Sequence, residues 1–257
     1  MPFALITGAS KGIGKAIAEL LAGRGYDILL VARSSDLLEQ VSNEIHTTTN
    51  RNCHWLALDL SADQAAETVF EWCNTNGFEV AVLVNNAGYG LSGSFENYTA
   101  REHADMLQVN MVTLTKLTRL FLPGMLKQSN GYILNIGSTS AYQALPYLSA
   151  YAASKAYVLT FSRGLFHELR KTNVSVTCVC PGPTDTNFVN RANVGAKALK
   201  AAERFNMSPK AVAKIALDSL FNRKPEVITG GMNKLSAFFA WLLPKSLVEN
   251  VAKKLYD

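Results

Sequence analysis

The sequence predicts an α/β fold: a doubly wound parallel sheet in a single domain spanning residues 1–257. Three observations predict it. Short apolar runs alternate with amphipathic stretches along the whole chain, the rhythm of strand–helix units. Most of the runs are continuously apolar, as strands covered on both faces must be. A glycine-rich turn stands directly between the first run and the first amphipathic stretch.

Taken in order, Phe3–Thr7 opens the sheet, and residues 13–23 form the first helix after the glycine turn. Asp27–Ala32 is the second strand and 37–47 the next helix. Residues 53–58 form a third strand, followed by a helix over 62–73. Val80–Asn85 is the fourth strand, and 100–126 reads as one long helix. Strands over 131–137 and 175–180 enclose a helix over 150–171, and 227–229 is a short last strand. There is no short repeat, and no Pro/Ser/Gly tract or charge block divides the chain.

Composition agrees with one sizeable core. Hydrophobic residues make up 48% and charged residues 18% of 257, too apolar for a disordered chain. The net charge of +5 comes from scattered lysines and arginines without an aromatic or arginine-rich signature. It argues against nucleic acid and suits a polyanionic small partner. Cys53, Cys73, Cys178 and Cys180 have no disulfide-framework spacing, and no metal-ligand set accompanies them. Buried thiols in a reducing compartment are expected, with Cys178 and Cys180 on one sheet face. The first strand begins at Phe3, which leaves no room for a signal peptide. The late apolar run over 235–243 is far short of the ~20 residues a bilayer span takes. A cytoplasmic protein without a transmembrane segment is expected.

The turn over residues 7–14 reads Thr-Gly-Ala-Ser-Lys-Gly-Ile-Gly. Gly8, Gly12 and Gly14 are spaced G-x-x-x-G-x-G, with Ser10, Lys11 and Ile13 between them. Absent Cβ atoms permit a tight turn and let a pyrophosphate approach backbone N–H groups at a helix N-terminus. Such a turn is often merely structural, but its place between strand and helix favours a dinucleotide. An NAD site usually carries an acidic residue at the end of the second strand. Here that strand runs Leu30-Val31-Ala32-Arg33 with no carboxylate. Arg33 and Lys11 can hold a 2′-phosphate by charge-assisted hydrogen bonds, which favours NADP(H) over NAD(H). The alternative is that both are solvated surface cations. Asp59, followed by Leu60 at the third strand's end, either accepts from an adenine amino group or caps the next helix. Asn85-Asn86-Ala87-Gly88 ends the fourth strand in small residues that let a cofactor lie against backbone.

Ser138 follows the fifth strand, and Tyr151 and Lys155 stand four apart in Tyr151-Ala152-Ala153-Ser154-Lys155. On a helix that spacing shares one face. A nearby ammonium favours phenolate over phenol, so the tyrosine becomes a usable acid or base for carbonyl–alcohol interconversion. Ser138 can hydrogen-bond the substrate oxygen as charge develops on it. Tyr-x-x-x-Lys alone is common and means little, and a lone serine is a loop residue or a cap. Their joint presence with the two cofactor turns carries the inference.

Taken together, residues 7–14, Asp59, 85–88, Asn110, Ser138, Tyr151, Lys155 and Pro181-Gly182 resemble the short-chain dehydrogenase/reductase family over essentially the whole chain. The resemblance implies a Rossmann-type, seven-stranded sheet and a catalytic tetrad of Asn110, Ser138, Tyr151 and Lys155. It implies that Asn110 holds a water in a proton relay that includes Lys155. It also implies that Lys155 binds the nicotinamide ribose, and that Pro181, Gly182 and Thr186 contact the nicotinamide. The Lys11/Arg33 pair looks like that of NADP-preferring members. A substrate lid over about 184–208 follows, and homodimers or homotetramers are usual.

The substrate is less legible. Gln143, Tyr147, Tyr89 and Phe188 are candidate pocket walls, each equally an ordinary packing residue. The apolar terminal segment, 233–257, reads as a flap over the pocket, a subunit interface or a membrane-surface contact, with the first two favoured. As a flap it points to an apolar ketone or acyl-chain carbonyl. A non-catalytic dinucleotide sensor on the same fold is the competing function, disfavoured because the full set of catalytic residues is present. A sugar-nucleotide epimerase is disfavoured because no second substrate domain follows the sheet.

Overall fold

The computed structural model describes residues 2–184 and 206–256. Seven strands form one parallel sheet in the order β3-β2-β1-β4-β5-β6-β7. They are β1 (Phe3–Thr7), β2 (Asp27–Ala32), β3 (Cys53–Ala57), β4 (Val80–Asn85), β5 (Gly131–Ile136), β6 (Val174–Cys180) and β7 (Glu226–Ile228). The helices are α1 (Gly12–Gly23), α2 (Ser35–Thr49), α3 (Ala65–Thr75), α4 (Ala100–Leu107), α5 (Leu114–Met125) and α6 (Ser149–Glu168). After the undescribed residues come α7 (Pro209–Phe221), α8 (Gly231–Leu242) and α9 (Lys245–Tyr256).

Strand alternation distributes the core to two layers. Ala4 and Ile6 of β1, with Ile28, Leu30 and Ala32 of β2, pack against α1, α2 and α7. Leu5, Leu29 and Val31 point the other way, onto α3 and α5. Both faces of the central strands are therefore dry, which is why they read as unbroken apolar runs. The third strand departs from that expectation. It is an edge strand with Trp55 36% exposed and an exposed His54, since only β2 pairs with it.

Residues 100–126 do not form one uninterrupted α-helix. A π-helical turn over Gln108–Thr113 separates α4 from α5. Such one-residue insertions recur at functional sites because they redirect side chains, and this one carries Asn110. The N-terminus of α4 is fixed by a capping box, with Thr99 and Glu102 satisfying each other's backbone N–H groups.

Topology positions the site. The chain runs outward from β1 through β2 to β3, then returns to β4 on the other side. The crevice beyond the carboxyl ends of β1 and β4 is the switch point where such sheets bind ligands.

Candidate active site

A cleft of about 1230 Å³ runs along the carboxyl edge of the sheet. One end is built from the β1–α1 turn. Gly8 and Gly12 take positive φ, 65° and 58°, which only glycine adopts without strain. A Cβ on Gly14 would lie 2.4 Å from the Gly8 carbonyl oxygen and 2.5 Å from Asn86 Nδ2. The turn is pinned to β4 from the other side. Asn86 Nδ2 donates to the carbonyls of Thr7 and Gly8 at 2.9 and 3.0 Å. Thr7 Oγ1 accepts from the Asn86 and Ala87 N–H groups, both at 3.0 Å.

The N-terminus of α1 has no side-chain cap and no acidic residue in its first turn. Its N–H groups and the positive end of its dipole face the cleft, a ready anion site. Gly8, Ser10, Lys11, Gly12 and Ile13 line this end, and Ala32, Arg33 and Ser34 close it. Lys11 and Arg33 are exposed, and neither is in an ion pair among the described residues. Asp59 and Leu60 line the same wall. Asp59 Oδ1 accepts from the N–H and hydroxyl of Ser61. It therefore closes a local turn instead of capping α3, which begins only at Ala65.

In the middle of the cleft, Tyr151 and Lys155 lie on the buried face of α6, 8% and 5% exposed. The Lys155 ammonium lies 5.8 Å from the centre of the Tyr151 ring and donates to the Ile136 carbonyl at 2.8 Å. Burial pulls the Lys155 pKa down from 10.5 to about 8, partly opposed by the Cys178 and Cys180 thiols. Ser138 stands at the end of β5, capping a 3₁₀ turn over Thr139–Tyr142 by accepting from Ser140 N–H at 3.1 Å. Its expected alternative as a cap is thus real, and Ser138 lines the cleft as well.

Asn110 is 1% exposed. Its Oδ1 accepts from the Tyr89 N–H at 3.1 Å, and its Nδ2 donates to the Tyr89 carbonyl and to Ser154 Oγ at 2.9 and 3.0 Å. Ser154 in turn donates to the Tyr151 carbonyl at 2.7 Å. Asn110 thereby ties the loop after β4 to the helix bearing Tyr151. A Cβ on Gly88 would sit 3.0 Å from Asn110 Oδ1 and 3.3 Å from Lys155 Nζ, so Gly88 passes close to both.

Pro181 and Gly182 follow β6 into the cleft. Asn233 of α8 packs directly on Gly182, where a Cβ would meet Asn233 Nδ2 at 2.2 Å, and donates to the Thr229 carbonyl at 2.7 Å. Thr186 and Phe188, and most of the expected lid, lie outside the described residues. Gln143 and Tyr89 line the cleft and Tyr147 does not. Tyr147 takes a positive φ of 64°, and its carbonyl accepts from Gly93 N–H at 2.9 Å, on the loop outside the wall.

Three contributors escape residue-by-residue reasoning. Ser154 sits inside the Tyr-x-x-x-Lys run, at i+3 from Tyr151, and its polar side chain on a buried face was a signal. Asn233 gave none, because its contact with Gly182 depends on tertiary placement. The far wall comes mostly from the terminal segment read as a flap, an interface or a membrane contact, and only its particular side chains went unnamed: Met232, Phe239 and Leu243 of α8 and its flank, with Leu247, Val248 and Val251 of α9. Among the described residues no cluster of three or more His, Cys, Asp or Glu could hold a metal. The four thiols are free, with Cys178 and Cys180 on one face, their sulfurs 3.8 Å apart.

A sheet edge with a tight glycine turn and an uncapped helix N-terminus that also carries a buried Tyr–Lys pair defines a class. The short chain dehydrogenase family model matches residues 2–197, and the chain belongs to that family of oxidoreductases. Mouse very-long-chain 3-oxoacyl-CoA reductase is 39% identical over 186 residues, covering 70% of this chain and 58% of the mouse protein. The chain thus aligns with less than two thirds of that relative. A solved 7β-hydroxysteroid dehydrogenase superposes with a TM-score of 0.88 at 26% identity, covering 98% of this chain and 96% of its own. A Sphingobium yanoikuyae short-chain dehydrogenase solved with NADPH gives 0.83 at 29% identity, with 94% of each chain covered. A Burkholderia phymatum neighbour at 22% identity was solved with NAD; it covers 100% of this chain and 96% of its own, with a TM-score of 0.82.

Proposed function

We propose that this oxidoreductase is an NADP(H)-dependent reductase of apolar carbonyl compounds, with Asn110, Ser138, Tyr151 and Lys155 as its catalytic set. One observation carries the reading. The buried Tyr151–Lys155 pair stands between an anion-binding helix terminus and a cleft wall made of apolar side chains from α8 and α9. The first neighbour fits a dinucleotide and the second fits a hydrocarbon.

The cradle suits the cofactor on grounds of this chain's own geometry: no Cβ fits at Gly14, and α1 begins without a cap. A reduced nicotinamide bound there supplies the hydride. Every other task falls to side chains. Ser138 donates a hydrogen bond to the carbonyl oxygen, stabilising the negative charge that builds on it. Tyr151 delivers the proton that completes the alcohol. Lys155, cationic below its lowered pKa of about 8, stabilises the tyrosinate left behind, which takes its next proton from solvent. Asn110 fixes the loop after β4 against α6 through Tyr89 and Ser154, which holds Tyr151 in register. Lys11 and Arg33, exposed and outside any ion pair among the described residues, provide the charge for a 2′-phosphate.

The relatives support the substrate class by analogy, since one reduces a long-chain 3-oxoacyl thioester by name and another is a hydroxysteroid dehydrogenase. The test is NADPH consumption across a panel of small aldehydes, bulky cyclic ketones and long-chain 3-oxoacyl thioesters. Turnover is expected with the bulky and long-chain members, and Arg33→Ser is expected to erode the preference for NADPH over NADH by about tenfold. Turnover confined to small polar carbonyls, or a wild type that prefers NADH, contradicts the reading.

A further inference from the structure

Helices α8 and α9 leave an apolar surface open to solvent on the side away from the sheet. Trp241 is 77% exposed, Val251 65%, Leu242 55% and Phe238 51%, with Leu235 and Leu247 beside them in sequence. On α8, Leu235, Phe238 and Leu242 recur at helical spacing and form an outward stripe, while Ala237 is buried behind it. The rings of Phe238 and Trp241 approach to 6.0 Å between centroids. This is an amphipathic arrangement with its apolar side outward, and contiguous patches of this kind mark an interaction surface.

Charge decides what covers it. Residues 231–256 contain Lys234, Lys245, Lys253 and Lys254, all exposed, against the single acid Glu249. A second copy seated face to face would bring these four lysines against themselves, with only Glu249 on each copy to offset them. An anionic bilayer offers the complement on both counts: negative headgroups for the lysines and an acyl boundary for Phe238 and Trp241. Tryptophan and phenylalanine on one side of a helix with lysine nearby are what such an interface selects. Neither helix is long and apolar enough to cross a membrane.

We infer that α8 and α9 form a docking face for the surface of an anionic lipid bilayer, lying in its plane. The docking does not depend on which compound is reduced. One consequence does rest on the reductase reading: Phe239, Leu243, Leu247 and Val251 both line the cleft and are exposed, so the mouth opens toward the docked face and an apolar carbonyl enters from the lipid.

The test is co-flotation of the full chain with phosphatidylcholine vesicles, with and without about a third phosphatidylserine. Binding is expected on the serine-containing vesicles, weakened by high salt and reduced about tenfold in a Phe238→Glu, Trp241→Glu double variant. Neither residue lines the cleft, and circular dichroism melting checks that the variant is folded. The Lys253→Glu, Lys254→Glu variant carries the charge arm and remains decisive if the first does not fold. No flotation, flotation indifferent to both variants, or a lipid-free assembly that Phe238→Glu and Trp241→Glu dissociate would overturn the proposal; the last outcome would make the face a contact between copies.

Discussion

Lys155 is 5% exposed, and desolvation brings its pKa from 10.5 to about 8. Below that value the folded and unfolded states both carry the proton, and the burial penalty is fully present. As pH rises from about 8 toward 10.5, the folded state sheds its proton first, and stability increases relative to a chain lacking the group. Urea unfolding at pH 7 and pH 10 should therefore show wild type gaining about 3 kcal/mol on Lys155→Met over that interval. A difference between the two proteins that is flat with pH would contradict the burial account. At this scale the sequence was informative where chemistry follows local spacing, as in Tyr151 and Lys155 on one helical face. It was silent where a side chain's partner is remote. Asn110 and Ser154 are 44 residues apart, and no periodicity links them.

Elements fix how much room the site has. Gly14 lies in the first turn of α1 with the Gly8 carbonyl 2.4 Å from where a Cβ would stand, and backbone cannot swing aside as a side chain can. Gly14→Ala should destabilise by roughly 1–3 kcal/mol and weaken NADPH binding at least tenfold, read by thermal unfolding and fluorescence titration. Gly23, at the other end of the same helix, has nothing within 4 Å of that position, so Gly23→Ala should leave cofactor binding unchanged. Equal effects from the two substitutions would remove the packing argument. Most strands were legible because burial on both faces writes itself as a continuous apolar run. The π-helical turn over Gln108–Thr113 was not, because one inserted residue leaves the amphipathic pattern of α4 and α5 almost intact. Helix α7 carried its signals in Ser208, whose hydroxyl accepts from Ala211 N–H, and in Pro209 at the first helical position, cues of capping rather than of periodicity.

Across the whole molecule, the sheet order sets the β1–α1 glycine turn and an apolar helical wall on two sides of one cleft. The β1–α1 turn and the ends of β4, β5 and β6 form one side of the cleft, and α8 and α9 the other. The first side was largely readable from motifs, since turns and strand ends repeat a fixed chemistry. The second was legible only as an apolar terminal segment with flap, interface and membrane contact as alternatives, because its wall depends on Asn233 packing onto Gly182 and on two helices whose apolar residues serve cleft and surface alike. The central claim is that Tyr151 supplies the proton in a carbonyl reduction housed by this cleft. Its most direct test is the turnover of Tyr151→Phe with NADPH and a long-chain or bulky ketone, with NADPH binding measured alongside. A fall in kcat of roughly 10²–10⁴-fold at unchanged NADPH affinity is the predicted result; turnover retained at the wild-type rate would contradict it.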